Sequence, residues 1–387
     1  MLTVVYYTST NFLESCIETI QCIKNEVNLH VLIEITNHSK KSTIVNVENL
    51  NKYQLIENPE NILGNTEWKM LEPYFKETSS IHFVVHKNKR SYSFQTLYAN
   101  YKLGKYLKKL NFDIIHFDTI SNRSIGLYPI FKNKKVIITL HDHAPHSGEN
   151  SWKENIANFI FYKVSKGFIF YSKYSKNQFL KTNKKLSTSL YDIKLQPYSY
   201  YQKNISKVKI DKNNFILFFG RLSYYKGIDI LIESIPLILK NNPTIKFIII
   251  GRSVYNYVID KNILKKYKNN LTVVSEYMPN DQLVNYIKSC EFIVCPYRDA
   301  SQSGVLMTAK AIGKIVIATN VGSFKEYINN EFDGIICEPT INSFSYNVNE
   351  TLKSLSYKIF EKNINKEYSN KDGESNSATI LKAYNTI

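Results

Sequence analysis

Cysteine is scarce in this chain. Five thiols, Cys16, Cys22, Cys290, Cys295 and Cys337, are spread over 387 residues, and no two form a CxxC pair. A small, odd, dispersed set of this kind argues against a disulfide framework or a zinc ribbon and reads as reduced core cysteine. Long apolar runs are also missing: nothing approaches the ~18 consecutive apolar residues that a spanning helix requires. The opening MLTVVYYTSTNFLESC has no basic n-region and no long apolar core, so a signal peptide is not expected and a cytoplasmic location is. No DxD triplet occurs, which speaks against a mechanism built on a divalent metal and a diphosphate. There is no GxSxG elbow and no Cys/His pairing. No RNP, KH or helix-turn-helix signature is present. Acidic residues are in deficit, 33 against 50 basic, for a net charge of +17.

What is present is apolar and patterned. Hydrophobic residues make up 43% and charged residues 21%, which excludes a disordered chain and leaves room for two domains. The basic excess is uneven. Residues 1–100 carry 9 basic and 10 acidic groups, residues 101–200 carry 17 and 6, and residues 201–387 carry 24 and 17. Clustered charge creates a field that attracts an anionic partner: a membrane surface, a phosphorylated substrate or nucleic acid. A general lysine and asparagine bias of composition accounts for the same numbers.

Short apolar strands alternate with helical segments. Strands are expected at Leu2–Tyr7, Leu29–Ile33, Ile81–Val85, Ile114–Phe117, Val136–Leu140 and Gly167–Tyr171, with a helix over Asn11–Ile23. Residues 196–213 lack period and read as a linker. The rhythm restarts with strands at Phe215–Phe219, Ile245–Ile250, Leu271–Val274, Phe292–Cys295 and Ile315–Ala318, and helices between them. Two such arrays predict an α/β protein with two Rossmann-like, doubly wound domains facing across a cleft. We place the first at 1–200, the second at 201–365, and a tail at 366–387 with a short final helix packing back on the first domain. In such folds the ligand lies beyond the carboxyl ends of the strands, so loops right after strands carry the chemistry.

Three of these loops stand out. The first strand of the second array ends at Gly220, and Arg221 and Lys226 follow before a helix with apolar residues at 228, 231, 232, 235, 238 and 239. Pro236 is expected to kink or weaken that helix. Two cations at a helix N-terminus suit a diphosphate: the free N–H groups and dipole favour an anion, and arginine chelates two oxygens. The second loop, CPYRDASQSGV, places Asp299, Ser303, Gly304 and Val305 at another helix start. The third, ATNVGSFKE, repeats the logic. Each loop alone is equally read as a capped helix start with solvated charges; three in succession point to a nucleotide-type ligand.

These segments also carry a resemblance. GRLSYYKGIDILIES, IIIGRS, VSEYMPNDQLVNYIKSCEFIVCPY and SGVLMTAKAIGKIVIATNVGSFKEYI, in this order over roughly 215–339, resemble the C-terminal half of the family 4 glycosyltransferases, retaining enzymes of the GT-B fold. The N-terminal half is similar in outline only, at DIIHFD, VIITLHDH and FIFYSKYSK. The resemblance implies that Gly220, Arg221 and Lys226 meet the donor diphosphate and that the backbone of Ser303, Gly304 and Val305 holds its distal phosphate. It implies that Glu276, Tyr277 and Met278 face the base, and that His141 lies near the transferred sugar and the acceptor. The family's usual pair of glutamates falls on Ala300 and Thr308, neither of them acidic here. Asp299 is then expected to take the first glutamate's contact with sugar hydroxyls, and Thr308 to reach the ribose. The opening loop Thr8–Asn11 lacks the family's frequent glycines.

His141, His143 and His146 cluster on one loop, but they offer at most three imidazoles without a matching acid motif, so no metal is expected. No cofactor is expected either, the nucleotide-diphosphate sugar being a substrate. Basic and aromatic residues interleave at 98–110 and 152–166. These stretches read either as amphipathic helices packed on the sheet with solvated lysines or as helices lying on an anionic bilayer. The resemblance, with the missing DxD triplet and the basic stretches, implies a retaining, metal-independent glycosyltransferase of the hexosyltransferase type, expected to act on a glycan or lipid-linked glycan in cell-surface polysaccharide synthesis, in the cytoplasm and at the inner face of the membrane. A sugar-nucleotide epimerase and a basic nucleic-acid-binding protein are the weaker readings, the latter leaving the three loops unexplained.

Overall fold

The computed structural model describes the chain apart from residues 43, 143–151, 185, 187, 204–213, 255–257, 277, 368–370 and 387, and apart from the side chains of 152–155, 365–367 and 371–372. The described residues of Met1–His143, Ser151–Gln196 and Asn370–Ile387 form one compact unit, and those of Pro197–Ser369 a second.

The first unit is built on eight strands: β1 Thr3–Ser9, β2 Asn28–Thr36, β3 Ile56–Glu57, β4 Ser80–His86, β5 Ile114–Phe117, β6 Lys135–Leu140, β7 Gly167–Phe170 and β8 Ser189–Asp192. Their order in the sheet is β3-β4-β2-β1-β5-β6-β7-β8. Every pairing is parallel except β3 with β4. The central strands are apolar on both faces, as a sheet covered by helices on both sides requires: β1 buries Val4 to Tyr7 and β5 buries all four residues. Helix α1, Leu13–Ile23, buries Leu13, Cys16, Ile17, Ile20 and Ile23 along one face. Helix α2, Phe94–Lys109, buries Leu103 and Leu107. Helix α3 spans Trp152–Val164.

The second unit opens with helix α4, Ser199–Lys203, inside the expected linker. Tyr198, Tyr200 and Tyr201 are buried. The middle segment of the first unit runs to Gln196 and the second unit starts at Pro197, ahead of the expected boundary at 200/201. Six parallel strands follow: β9 Phe215–Phe219, β10 Lys246–Ile250, β11 Leu271–Val274, β12 Ile293–Cys295, β13 Val316–Thr319 and β14 Ile335–Cys337. Their order is β11-β10-β9-β12-β13-β14. Helix α5, Ile228–Leu239, runs unbroken through Pro236, whose carbonyl accepts the N–H of Lys240 at 3.1 Å. Pro236 is exposed, so its ring and its missing donor disturb only the solvent side. Helix α6 is Gly304–Ile312.

The last helix, α7, spans Lys371–Thr386 and is far longer than the expected short one. It belongs to the first unit. Ile380, Ala383 and Tyr384 are fully buried. Asn376 exchanges two hydrogen bonds with the backbone of Lys194, at 2.9 and 2.7 Å, which pins the polar start of α7 to the segment after β8.

All five cysteines are free. Burial pushes the thiols of Cys290, Cys295 and Cys337 up to about 12, so they are inert at neutral pH.

Candidate active site

The order β10-β9-β12 contains the switch point of the second sheet: the chain moves from β9 outward to β10 and β11, then returns to β9's other side with β12. Such a fold opens a crevice at the carboxyl ends of the two strands flanking the reversal. The loops after β9 and β12 are the two that hold the residues expected to meet the diphosphate and the transferred sugar's hydroxyls.

Beyond β9, Gly220 takes φ +120 and continues the ladder, its N–H bonding Ile250 carbonyl at 2.9 Å. Tyr224–Lys226 form a single 3-10 turn, and Gly227 at φ +62 turns the chain into α5. A methyl group at 227 would sit 1.8 Å from the carbonyl oxygen of Pro296, so the first loop lies directly on the backbone of the second. Gly322 repeats the device. At φ +57, its added methyl would stand 1.9 Å from the carbonyl oxygen of Ala300, which also accepts the N–H of Ser323 at 2.9 Å. The three loops are thus stacked backbone on backbone in the order β9, β12, β13.

The side chains fit that stacking. Lys226 is buried, with Nζ 3.8 Å from the ring centre of Tyr297 and 5.0 Å from that of Tyr225. It is not a solvated surface cation. Two ring faces stabilise its charge while a desolvated ammonium still favours an anion nearby. Arg221 is exposed, and its Nη2 donates to the Tyr225 hydroxyl at 3.0 Å. Arg298 grips Asp229 of α5 with two bonds of 2.6 and 2.5 Å and donates its backbone N–H to Tyr225 carbonyl at 2.7 Å. Sequence reasoning passed over Arg298 because its partner lies far off in the chain. The Ser223 hydroxyl is buried, and the described residues give it no hydrogen-bond partner.

Ser303 caps α6, its hydroxyl accepting the N–H of Leu306 at 3.3 Å. A methyl at Gly220 would meet Val305 Cγ2 at 3.3 Å, so the start of α6 adjoins the end of β9. Gly304 itself lies against Tyr198, whose hydroxyl is 3.2 Å from where a methyl would stand. Thr308 is buried in α6, and Asp299 is half-buried in the loop before it. Glu276, which is exposed, and Met278 follow β11, the edge strand, two places from β9. Tyr277 lies outside the described residues. Gly251 N–H bonds Val274 carbonyl at 2.9 Å, keeping the ends of β10 and β11 level.

The first unit has its own reversal, between β1 and β5. His141 stands just past β6, and its Nε2 is 3.3 Å from Oδ1 of Asp118, which stands just past β5. Asp118 is fully buried and accepts from the Tyr6 hydroxyl at 2.8 Å and the Thr8 hydroxyl at 2.7 Å. Burial works to raise its pKa. The charge of His141 and the bonds from His141, Thr8 and Tyr6 outweigh that and hold the carboxyl below its ordinary range. Phe12 stacks on the imidazole at 4.0 Å, and the ring of Tyr171 lies 5.1 Å away. Asp118 was not singled out from the sequence: a lone acid after a strand has no local signature. Its only signal is that DIIHFD and VIITLHDH end neighbouring strands with an acid and a histidine. Glu34, also buried, accepts from the Tyr7 and Ser121 hydroxyls at 2.8 Å each. His143 and His146 lie outside the described residues; among those described, no three His, Cys, Asp or Glu side chains converge to hold a metal.

The family model of the glycosyl transferases group 1 matches residues 201–367. An uncharacterized glycosyltransferase of Methanocaldococcus jannaschii is 30% identical over 270 residues, covering 67% of this chain and 70% of the relative. Among solved structures, the HepE protein of Anabaena, in complex with UDP and glucose, superposes with a TM-score of 0.66 at 14% identity over all of both chains. A sucrose-phosphate synthase from Thermosynechococcus elongatus does so with a TM-score of 0.68 at 12% identity, over all of this chain and 99% of the other. Two parallel-sheet α/β units of this kind make the architecture GT-B. The chain belongs to the group 1 glycosyl transferases.

Proposed function

We propose that this glycosyltransferase is retaining and metal-independent, and that it moves a hexosyl group from a nucleoside-diphosphate sugar to a glycan or lipid-linked glycan during cell-surface polysaccharide synthesis. The observation that carries the reading is the stack of three post-strand loops around Lys226. A buried ammonium, a neighbouring guanidinium and the N-termini of α5 and α6 converge where a sheet reversal opens its crevice.

The chemistry follows from a diphosphate at that place. As the bond from the sugar's anomeric carbon to the phosphate oxygen breaks, its electron pair stays on the phosphate. Lys226, Arg221 and the backbone N–H groups at Ser303, Gly304 and Val305 stabilise that developing charge, the kind of preorganised electrostatics that dominates many enzymes. The acceptor hydroxyl adds on the face that the leaving group vacates, and its proton passes to the departing oxygen. Configuration is thereby retained without a covalent intermediate. Asp299 holds hydroxyls of the transferred sugar, Thr308 faces the ribose, and Glu276 and Met278 face the base. His141, its ring set by Asp118 and Phe12, contacts the transferred sugar and the acceptor. The UDP held by HepE makes a uridine nucleotide the first to try. The lack of a DxD triplet supports metal independence, and the absence from the described residues of a helix able to cross a membrane fits an enzyme acting from the cytoplasmic side.

Incubation with UDP-glucose and a lipid-linked or oligosaccharide acceptor, with and without EDTA, tests the reading. The product's new linkage should carry the donor's anomeric configuration by NMR, with the rate unchanged by chelation. An inverted linkage, or a rate abolished by EDTA and restored by Mn²⁺, would reject the corresponding half of it.

A further inference from the structure

Helix α2 is apolar on two faces. One packs inward through Leu103 and Leu107. The other faces solvent. Phe94 is 90% exposed, Leu97 56%, Tyr98 60% and Tyr101 58%, a set at i, i+3, i+4 and i+7. That is the spacing of a buried helix face, turned outward. Two of its rings carry a lysine one turn on. Lys102 Nζ lies 4.7 Å from the centre of the Tyr98 ring, and Lys105 Nζ 4.5 Å from that of Tyr101. Helix α3 repeats the pattern. Ile156 and Phe159 are exposed at 42% and 60%, and Lys163 Nζ stands 4.0 Å over the Phe159 ring. Both helices pack on the same 3-10 segment, Asn122–Leu127, and the exposed Tyr128 follows it directly. Residues 101–200, which supply most of this surface, hold 17 basic and 6 acidic groups.

We propose that the α2–α3 face of the first unit is a docking surface for an anionic lipid bilayer. The complementarity is twofold. Aromatic and aliphatic tips reach the boundary of the acyl region, where tyrosine rings and apolar side chains are at home, while the lysines above them meet lipid phosphates. Lysine stems lie along apolar surface and keep their ammonium groups at headgroup level. A nucleic-acid surface would use the lysines and the rings but not Leu97 and Ile156; the bilayer uses all of them. The surface is independent of the transfer chemistry and stands or falls separately from it.

The full-length protein is sedimented with vesicles of phosphatidylcholine, with and without about one-third phosphatidylglycerol. The wild type should bind the anionic vesicles at least about tenfold more tightly and release them as salt rises. Leu97→Ser/Tyr101→Ser/Phe159→Ser removes apolar tips that touch solvent, so its melting temperature should stay unchanged while vesicle affinity drops by about tenfold or more. Lys102→Glu/Lys105→Glu keeps the rings and should erase the preference for anionic lipid. Three results would overturn the assignment: no binding of the wild type to either vesicle, undiminished binding of both variants, or a dimer or RNA complex that forms in place of vesicle binding and is lost in the same variants.

Discussion

Two buried histidines of the first unit separate the proposed function from stability. His141 sits at the sheet edge with Asp118. His116 lies one strand deeper, fully buried, its ring nitrogens 2.7 Å from the Tyr384 hydroxyl and 2.8 Å from that of Thr139. Burial lowers the His116 pKa from 6.5 to about 4. A base with a depressed folded-state pKa stabilises the fold fully above its unfolded value and loses that contribution as pH falls from 6.5 towards 4. The span is worth roughly 3 kcal/mol. Thermal melts taken stepwise from about pH 7 to 4 should therefore fall more steeply for the wild type than for His116→Gln, which cannot take up the proton. Parallel curves would remove His116 from the acid response. Tyr384→Phe should cost about 1–2 kcal/mol in denaturant unfolding, because a buried ring nitrogen loses its partner. Asp118→Asn keeps shape and removes charge. If Asp118 only sets the His141 ring, kcat should fall while nucleotide affinity is preserved.

At the scale of elements, the loops were legible and their interlocking was not. Each of Gly220, Arg221, Lys226, Asp299 and Ser303 follows an apolar strand and precedes a helix, so strand counting alone puts them on one sheet edge. The contact that makes a site of them, Lys226 between Tyr225 and Tyr297, joins the loops after two different strands and has no trace in local pattern. The same holds for Asp118, whose partners Tyr6 and Thr8 lie more than a hundred positions away. The stacking predicts a sharp sensitivity to methyl groups. Gly227→Ala and Gly322→Ala force an unfavourable φ and press a Cβ to within 2 Å of a carbonyl oxygen, so each should destabilise the second unit by about 3 kcal/mol or more. Gly373→Ala, in α7 with open space around it, should be neutral or stabilising. Equal melting temperatures for all three would show that the loops are not packed as described. Among the elements that escaped sequence reading, β3, β8 and the first half of α7 are short, half-exposed or polar, and are held by pairing and by Asn376 rather than by their own periodicity.

For the whole molecule, the chain order matters as much as the two sheets. The first unit is complete only when α7 returns after the second unit has been made, since Ile380, Ala383 and Tyr384 fill its core. The central claim, however, lies in the second unit: its stacked loops bind a nucleoside diphosphate. A thermal-shift screen of UDP, GDP, ADP, CDP and TDP, each with and without EDTA, on the wild type and Arg221→Ala/Lys226→Ala tests it most directly. At a ligand concentration ~100 times the dissociation constant, the stabilisation should be roughly 2.7 kcal/mol, a readily measured rise in melting temperature. The account predicts such a rise with at least one of the five, unaffected by EDTA and absent from the double variant. No rise with any nucleotide, or an equal rise in the double variant, would contradict it.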